Sequence, residues 1–293
     1  GYAGTAAPIN FNGLVRQYYL RQSPELGDMQ VNLVDKHQRS RKSHEIAGAV
    51  RATLEEIAAR HGAKVKVVEV PPGPPVLSPL VAEIYGPDEA GRHALAKQVR
   101  QAFAQTADII GVDDSIEDNA KKLVLRGDQR KAAPLGIPAT DVVQTMQVGL
   151  DGEDITSLHD GQSKYSIPIR LNLPPEKQAR LNTLLTMTVK SAAGDNVPLS
   201  ELVKVRPAMR EKTIYHKDML PVTYVIGDMA GKLDSPLYGM FAVRGKLTKL
   251  SAAQGAPLGE YFIRQPSDPY RQFSLKWDGE WQITYETFRD MGL

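Results

Sequence analysis

An α+β fold is predicted for this 293-residue chain by three observations. Strand–helix–strand units of roughly 40–55 residues recur three times along it. A turn-rich stretch with its own αβ pattern separates the second unit from the third. The composition is that of a folded globular chain, with 42% hydrophobic and 24% charged residues. At +2 the chain is close to neutral, which excludes a charged-tail protein and gives no basic stripe for nucleic acid. No run approaches the ~18 apolar residues of a membrane span. With no cysteine, disulfides, thiolate metal sites and thiol catalysis are excluded. Gly1 to Thr5 has neither a basic nor an apolar leader region, so no signal peptide is expected.

The first unit starts with Met29, Val31 and Leu33 alternating with polar neighbours, the pattern of a half-buried strand. Ser43 is a suitable helix N-cap. Ile46, Val50, Leu54 and Ile57 follow at helical spacing, and His61-Gly62 suits the left-handed helix end. Val65 to Val70 reads as the returning strand. Pro71-Pro72-Gly73-Pro74-Pro75 is a stiff linker. In the second unit Leu80 to Tyr85 is a strand, Gly86-Pro87-Asp88 a helix start, and Leu95, Val99, Ala102 and Phe103 its apolar face. Asp108 to Val112 returns. In the third, Val222 to Ile226 is a strand and Ser235-Pro236 opens a helix. Leu237, Met240, Leu247 and Leu250 mark its face, and Tyr270 to Trp277 is the last strand.

The insert runs from Asn119 to Arg206. It holds a strand over Lys121–Arg126, a helix carrying Val142, Val143 and Met146, a hairpin tip at His159-Asp160-Gly161-Gln162, and strands over Tyr165–Leu171 and Met187–Val189. Asp-Gly at the tip suits a type I′ turn. Two such units make one split-βαβ, ferredoxin-like sandwich. Units two and three pair in this way, leaving unit one without a partner. Its other half is therefore expected upstream of Gly1. The aromatic run from Trp281 to Leu293 reads as a helix that stops without a cap, as truncation before a membrane span would leave it.

No pattern of catalytic residues stands out. The six histidines form no HxxxH or HExxH pair. Asp113, Asp114, Glu117 and Asp118 cluster after a strand but lack the spacing of a calcium loop. No nucleophile elbow, phosphate loop or dinucleotide fingerprint occurs. The eight methionines are scattered, which favours packing over a thioether metal site. Neither a cofactor nor a metal is expected, and nothing supports an enzyme.

An ordered set of segments resembles the second large periplasmic loop of resistance-nodulation-division (RND) efflux transporters, in their hydrophobe/amphiphile (acriflavin resistance-like) branch. The set comprises Gly4-Thr5-Ala6-Ala7-Pro8 with Phe11-Asn12-Gly13, Asp28 to Leu33, Pro71 to Pro75, Ala133 to Asp141, and Trp277-Asp278-Gly279-Glu280-Trp281-Gln282-Ile283-Thr284-Tyr285. The resemblance implies ferredoxin-like split-βαβ porter subdomains with an inserted mixed α/β docking subdomain. Residues 1–75 would be the latter half of a first porter subdomain. Residues 76–118 and 207–293 would be the second, and residues 119–206 the docking subdomain. It implies the periplasmic portion of a proton-driven bacterial inner-membrane permease, homotrimeric when intact. Such a permease passes amphiphilic small molecules toward a periplasmic adaptor and an outer-membrane channel.

By the same resemblance, the substrate pathway would run past Phe11, Asn12 and Gly13, where Phe11, two before Gly13, matches a pocket phenylalanine. It would include Leu80, Ala82 and Ile84 on a cleft strand and Asp114 at a polar rim. Family members often carry aromatics on that strand, whereas this chain has Leu80 and Ala82. Two alternatives compete with this reading. One is the heavy-metal branch of the family, which a convergent methionine set would favour. The other is a soluble ferredoxin-like small-molecule sensor.

Overall fold

The computed structural model describes residues 1–8, 11–69, 76–178, 180–230, 235–254 and 258–292. Two compact units emerge. One joins Gly1–Glu117 to Thr213–Leu293, and the other is Asp118–Lys212.

A five-stranded sheet organises the first unit. Its first strand, Leu80–Tyr85, leads to the helix Glu89–Ala104 and the second strand, Ile109–Asp114. Asp88 caps that helix, its carboxylate accepting from the Gly91 amide at 2.7 Å. After the insert the chain returns through a small hairpin, His216–Lys217 with Leu220–Pro221, to the third strand, Thr223–Met229. The helix Pro236–Gln254, a short edge strand Gly259–Tyr261 and the fourth strand Ser274–Gly279 complete the sandwich. Across the sheet the order is edge, fourth, first, third, second. The first strand pairs antiparallel with both the third and the fourth, and the third with the second. This is the split-βαβ arrangement expected from sequence, with the edge strand added parallel to the fourth.

The helices cover one face of the sheet. Leu80, Ala82, Ile84, Val225, Leu275 and Trp277 pack there against Val99, Phe103, Met240 and Val243. The Trp277 and Phe103 rings stack at 6.1 Å, and the indole N–H donates to Glu260 at 2.9 Å, so the largest buried side chain keeps its polar tip paired. In the helix Pro236–Gln254, Met240 and Leu247 face the core as expected, whereas Leu237 is exposed. The side chain of Leu250 lies outside the described residues.

The first 69 residues depart from the predicted strand–helix–strand unit. The helix is present as Ser43–Arg60. Lys42, not Ser43, is the cap residue, its amide held by Glu45 at 2.8 Å. Gly62 has the left-handed φ of +64° that its place after the helix requires. The strands, however, lie elsewhere: Tyr2–Thr5 pairs antiparallel with Gln22–Asp28. Residues 29–35 and 63–69 form no strand; Val70 and the segment Pro71–Pro75 lie outside the described residues. An alternating pattern becomes a strand only with a ladder partner. The short strand available here pairs with Gln22–Asp28, leaving Met29 and Val31 exposed. The helix face at Val50, Leu54 and Ile57 is also exposed.

Asp118–Lys212 forms a compact unit of its own. An antiparallel ladder, Lys121–Gly127 with Val203–Met209, joins its two ends. Its core gathers Ile137, Val142, Met146, Leu184, Leu199 and Leu202, while Val143 faces outward. The hairpin Glu153–Leu158 with Ile167–Leu171 is present. Its connection is longer than a two-residue turn and is held by the Asp160 side chain, which accepts from the amides of Gln162 and Ser163.

Gly91 gives a test of this packing. A Cβ there would lie 2.1 Å from the Phe273 ring. Gly91→Ala is therefore expected to cost about 1–3 kcal/mol through overpacking, although alanine is the better helix former. Urea midpoints of the two proteins check this.

Candidate functional site

Strand register decides which side chains a ligand could approach. In Leu80–Tyr85, Leu80, Ala82 and Ile84, expected on a cleft strand, point into the helix-covered core. The residues between them, Val81, Glu83 and Tyr85, take the opposite face. Glu83 lies directly across from Lys276 on the fourth strand and Tyr224 on the third. Asp278 lies across from Val81.

These side chains form a buried polar network. The Tyr85 hydroxyl donates to Glu83 at 2.9 Å, and the Lys276 ammonium approaches the same carboxylate oxygen at 3.3 Å. Lys217 reaches over from the small hairpin and donates to both Glu83 and Asp278. Lys276 continues to Gln282 at 3.1 Å, and Gln282 to Glu286 at 3.0 Å, on the helix Glu280–Met291. Glu83 and Lys276 are almost wholly buried, whereas Lys217 is about a third exposed at 31%.

Burial pushes the Glu83 carboxyl above its ordinary range, with the neighbouring Asp278 adding to the shift and the two lysines opposing it. Burial also works against the charge of Lys217, but its bonds to Asp278 and Glu83 prevail and hold it above the usual lysine range. Asp278 is likewise disfavoured by burial, yet its polar partners hold it low. Burial beside Glu83 raises the Tyr224 phenol to about 12. The network is thus a charge-balanced set of two carboxylates and two ammoniums, closed on one side by a hairpin. That hairpin is strained. Asp218 and Met219 both have left-handed φ, +50° and +65°, where such turns favour Asn-Gly. Each such residue costs about 1–3 kcal/mol.

The other anticipated residues are not brought into this network. Phe11 opens the short helix Phe11–Val15 and is 53% exposed, and Gly13 lies in the same helix. Asn12 is placed by its backbone in that helix. Asp114 is buried and engaged: it accepts from Arg100 at 3.0 Å and from the Ile116 amide at 2.9 Å. It ties the second strand to its preceding helix. The network itself was readable only as isolated charges, Glu83, Lys276 and Asp278, inside otherwise apolar strands.

The model of the AcrB/AcrD/AcrF family matches residues 6–238. The chain belongs to this family. Its membership meets the RND resemblance. The chain is 22% identical over 126 residues to multidrug resistance protein MdtC of Erwinia amylovora, and 23% identical over 122 residues to MdtC of Cronobacter sakazakii. These alignments take in 43% and 42% of this AcrB/AcrD/AcrF-family chain, but 12% of each relative. Two crystal forms of a heavy metal efflux pump share the fold. The first has a TM-score of 0.52 at 20% identity, over 73% of this chain and 20% of the pump. The second has a TM-score of 0.54 at 17% identity, over 89% and 26%. Among the described residues, no helix is long and apolar enough to cross a membrane.

Glu83 provides a pH test. Its carboxyl titrates higher folded than unfolded, so folding takes up a proton. That contribution is full below the ordinary carboxylate range and is lost as pH rises through the raised value. The stability cost of Glu83→Gln, from urea unfolding at several pH values, is therefore expected to be largest in acid and to shrink toward neutrality. A cost that grows steadily with pH would show that the lysines outweigh burial.

Proposed function

We propose that this chain is the periplasmic portion of a proton-driven inner-membrane efflux permease that moves amphiphilic small molecules. The observation that carries the reading is a split-βαβ sandwich interrupted by a compact unit between its second and third strands, in a chain matched by the AcrB/AcrD/AcrF family over residues 6–238. Residues 76–118 and 207–293 serve as one porter subdomain, and residues 1–75 as the latter half of another. Residues 119–206 are the docking subdomain that meets a periplasmic adaptor and an outer-membrane channel. The intact permease works as a homotrimer.

Phe11, Asn12 and Gly13 stand on the substrate route in this reading, which the exposure of Phe11 supports. The route is proposed to pass the face that carries Glu83, Lys217 and Asp278. Methionine placement favours amphiphiles over metal ions. Met240 and Met146 are packed in cores, and Met29, Met209, Met219 and Met291 are exposed on separate stretches.

The test is efflux by the complete permease, expressed with its adaptor and channel in a pump-deficient bacterium. Export of a fluorescent amphiphile is expected, with collapse on adding a protonophore. Phe11→Ala is expected to slow it several-fold while the trimer persists. Accumulation equal to that of a vector control would sink the proposal. Export of metal ions alone would move the protein to the heavy-metal branch.

A further inference from the structure

We propose that Lys217 is a tethered competitor: its ammonium fills a place between Glu83 and Asp278 that a ligand's organic ammonium takes when the hairpin His216–Pro221 moves away. The inference rests on the reading that this face lies on the substrate route, and it narrows the amphiphiles to those carrying a protonated amine. Lys217 Nζ donates to Glu83 Oε1 and to Asp278 Oδ2. One nitrogen on both acids sets the two carboxylates around a single point, with a cation already seated there. Lys217 is 31% and Asp278 22% exposed, whereas Glu83 is wholly buried. Solvent therefore reaches the lysine's side of the point but not the glutamate.

The strap that carries Lys217 is short and weakly laddered. It pairs two residues with two, His216 with Pro221 and Lys217 with Leu220, and Pro221 has no N–H to give. A two-stranded hairpin by itself is marginal in water. Both turn residues, Asp218 and Met219, have left-handed φ. None of residues 211–221 is buried, and Met219 at the tip is 92% exposed. Lys217 on its two acids and Asp218, which accepts from Gln265, tie the strap down. A second cation at the point loosens the first of these ties.

Charge and geometry then select the ligand. With Lys217 away, the two carboxylates face Lys276 alone, leaving one negative charge over. Asp218, whose charge reaches Tyr85 and Tyr224, has the same sign. Asp278 already pushes the Glu83 carboxyl up, as two acids at one point do. The place therefore calls for a cation. A hard divalent ion takes six or more oxygens. Among the described residues no third His, Asp or Glu completes such a set, and the Lys276 ammonium stands 3.3 Å from Glu83. An organic ammonium instead supplies the same N–H donors that the two acids accept from Lys217. Tyr224 lies directly across from Glu83, with the Tyr215 ring edge-on to it at 6.0 Å, and aromatic faces favour a cation beside them.

The experiment titrates the 293-residue chain into monodansylcadaverine, a fluorescent primary amine, and into its N-acetyl derivative, which keeps the apolar body and loses the charge. The amine is expected to bind about tenfold more tightly, the worth of a charged hydrogen bond. A strap that is mostly closed lowers apparent affinity by its open fraction, so Lys217→Met should tighten amine binding about tenfold and leave the acetylated probe unchanged. Met219→Gly keeps every charge and suits the left-handed position. It favours the closed strap and should weaken amine binding several-fold. Equal binding of the two probes overturns the proposal. So does an amine affinity that is unchanged or weaker in Lys217→Met, or one that does not weaken in Met219→Gly. If Lys217→Met does not fold, the two-probe comparison and Met219→Gly decide. No transport is read here, so a failed titration leaves the efflux test standing, and a permease that exports nothing fails on its own measurement.

Discussion

Burying a carboxylate in the middle of a β-sheet costs several kcal/mol unless its charge is answered on the spot. Glu83 sits there, between two neighbouring strands. The answer comes from Lys276 across the ladder, Tyr85 on the same strand and Lys217 on a separate hairpin. One acid thereby fixes the register of the first and fourth strands on their polar face. It also fixes where the chain must pass after the insert, because Lys217 reaches Glu83 only if the hairpin lies across the sheet. Through Lys276 and Gln282 the same network extends to the last helix. A hydrophobic residue at position 83 would fill the space but specify none of these relations.

The opposite face is held by dispersion and area rather than by charge. Trp277, Phe103 and the two helices exclude water there. The sheet thus has one face that tolerates substitution of similar shape and one whose partners are chemically specified. The Lys217 ammonium, on a strained hairpin, is the most accessible charge of the second set. Movement of that hairpin would release the strain of its two left-handed residues.

The sandwich was legible in the sequence because its strands are short apolar runs closed by Gly, Pro and Asp, and its helices carry clear apolar stripes. The direction of each side chain in the first strand was not. All six residues from Leu80 to Tyr85 are buried, so hydrophobic alternation carries no signal and only the cross-strand partners reveal which face is which. That is why Leu80, Ala82 and Ile84 read equally well as a cleft wall. The opposite failure occurred in Met29–Leu33. There the alternation was present, but the strand to receive it was not. Glu83, Lys217 and Asp278 left no trace as a group because they are 61 to 195 residues apart in the chain, a separation that only tertiary structure removes.

The ladder of Lys121–Gly127 with Val203–Met209 has a consequence for the entropy of the whole chain. Closing a flexible loop costs free energy that grows with the logarithm of its length. The ladder brings the two ends of the insert to about 4.8 Å, the spacing of neighbouring strands. Once it has zipped, the sandwich closes only the few residues between the ladder and its own strands. The intervening sequence is then free to lengthen, shorten or be exchanged with little effect on the closure entropy of the host.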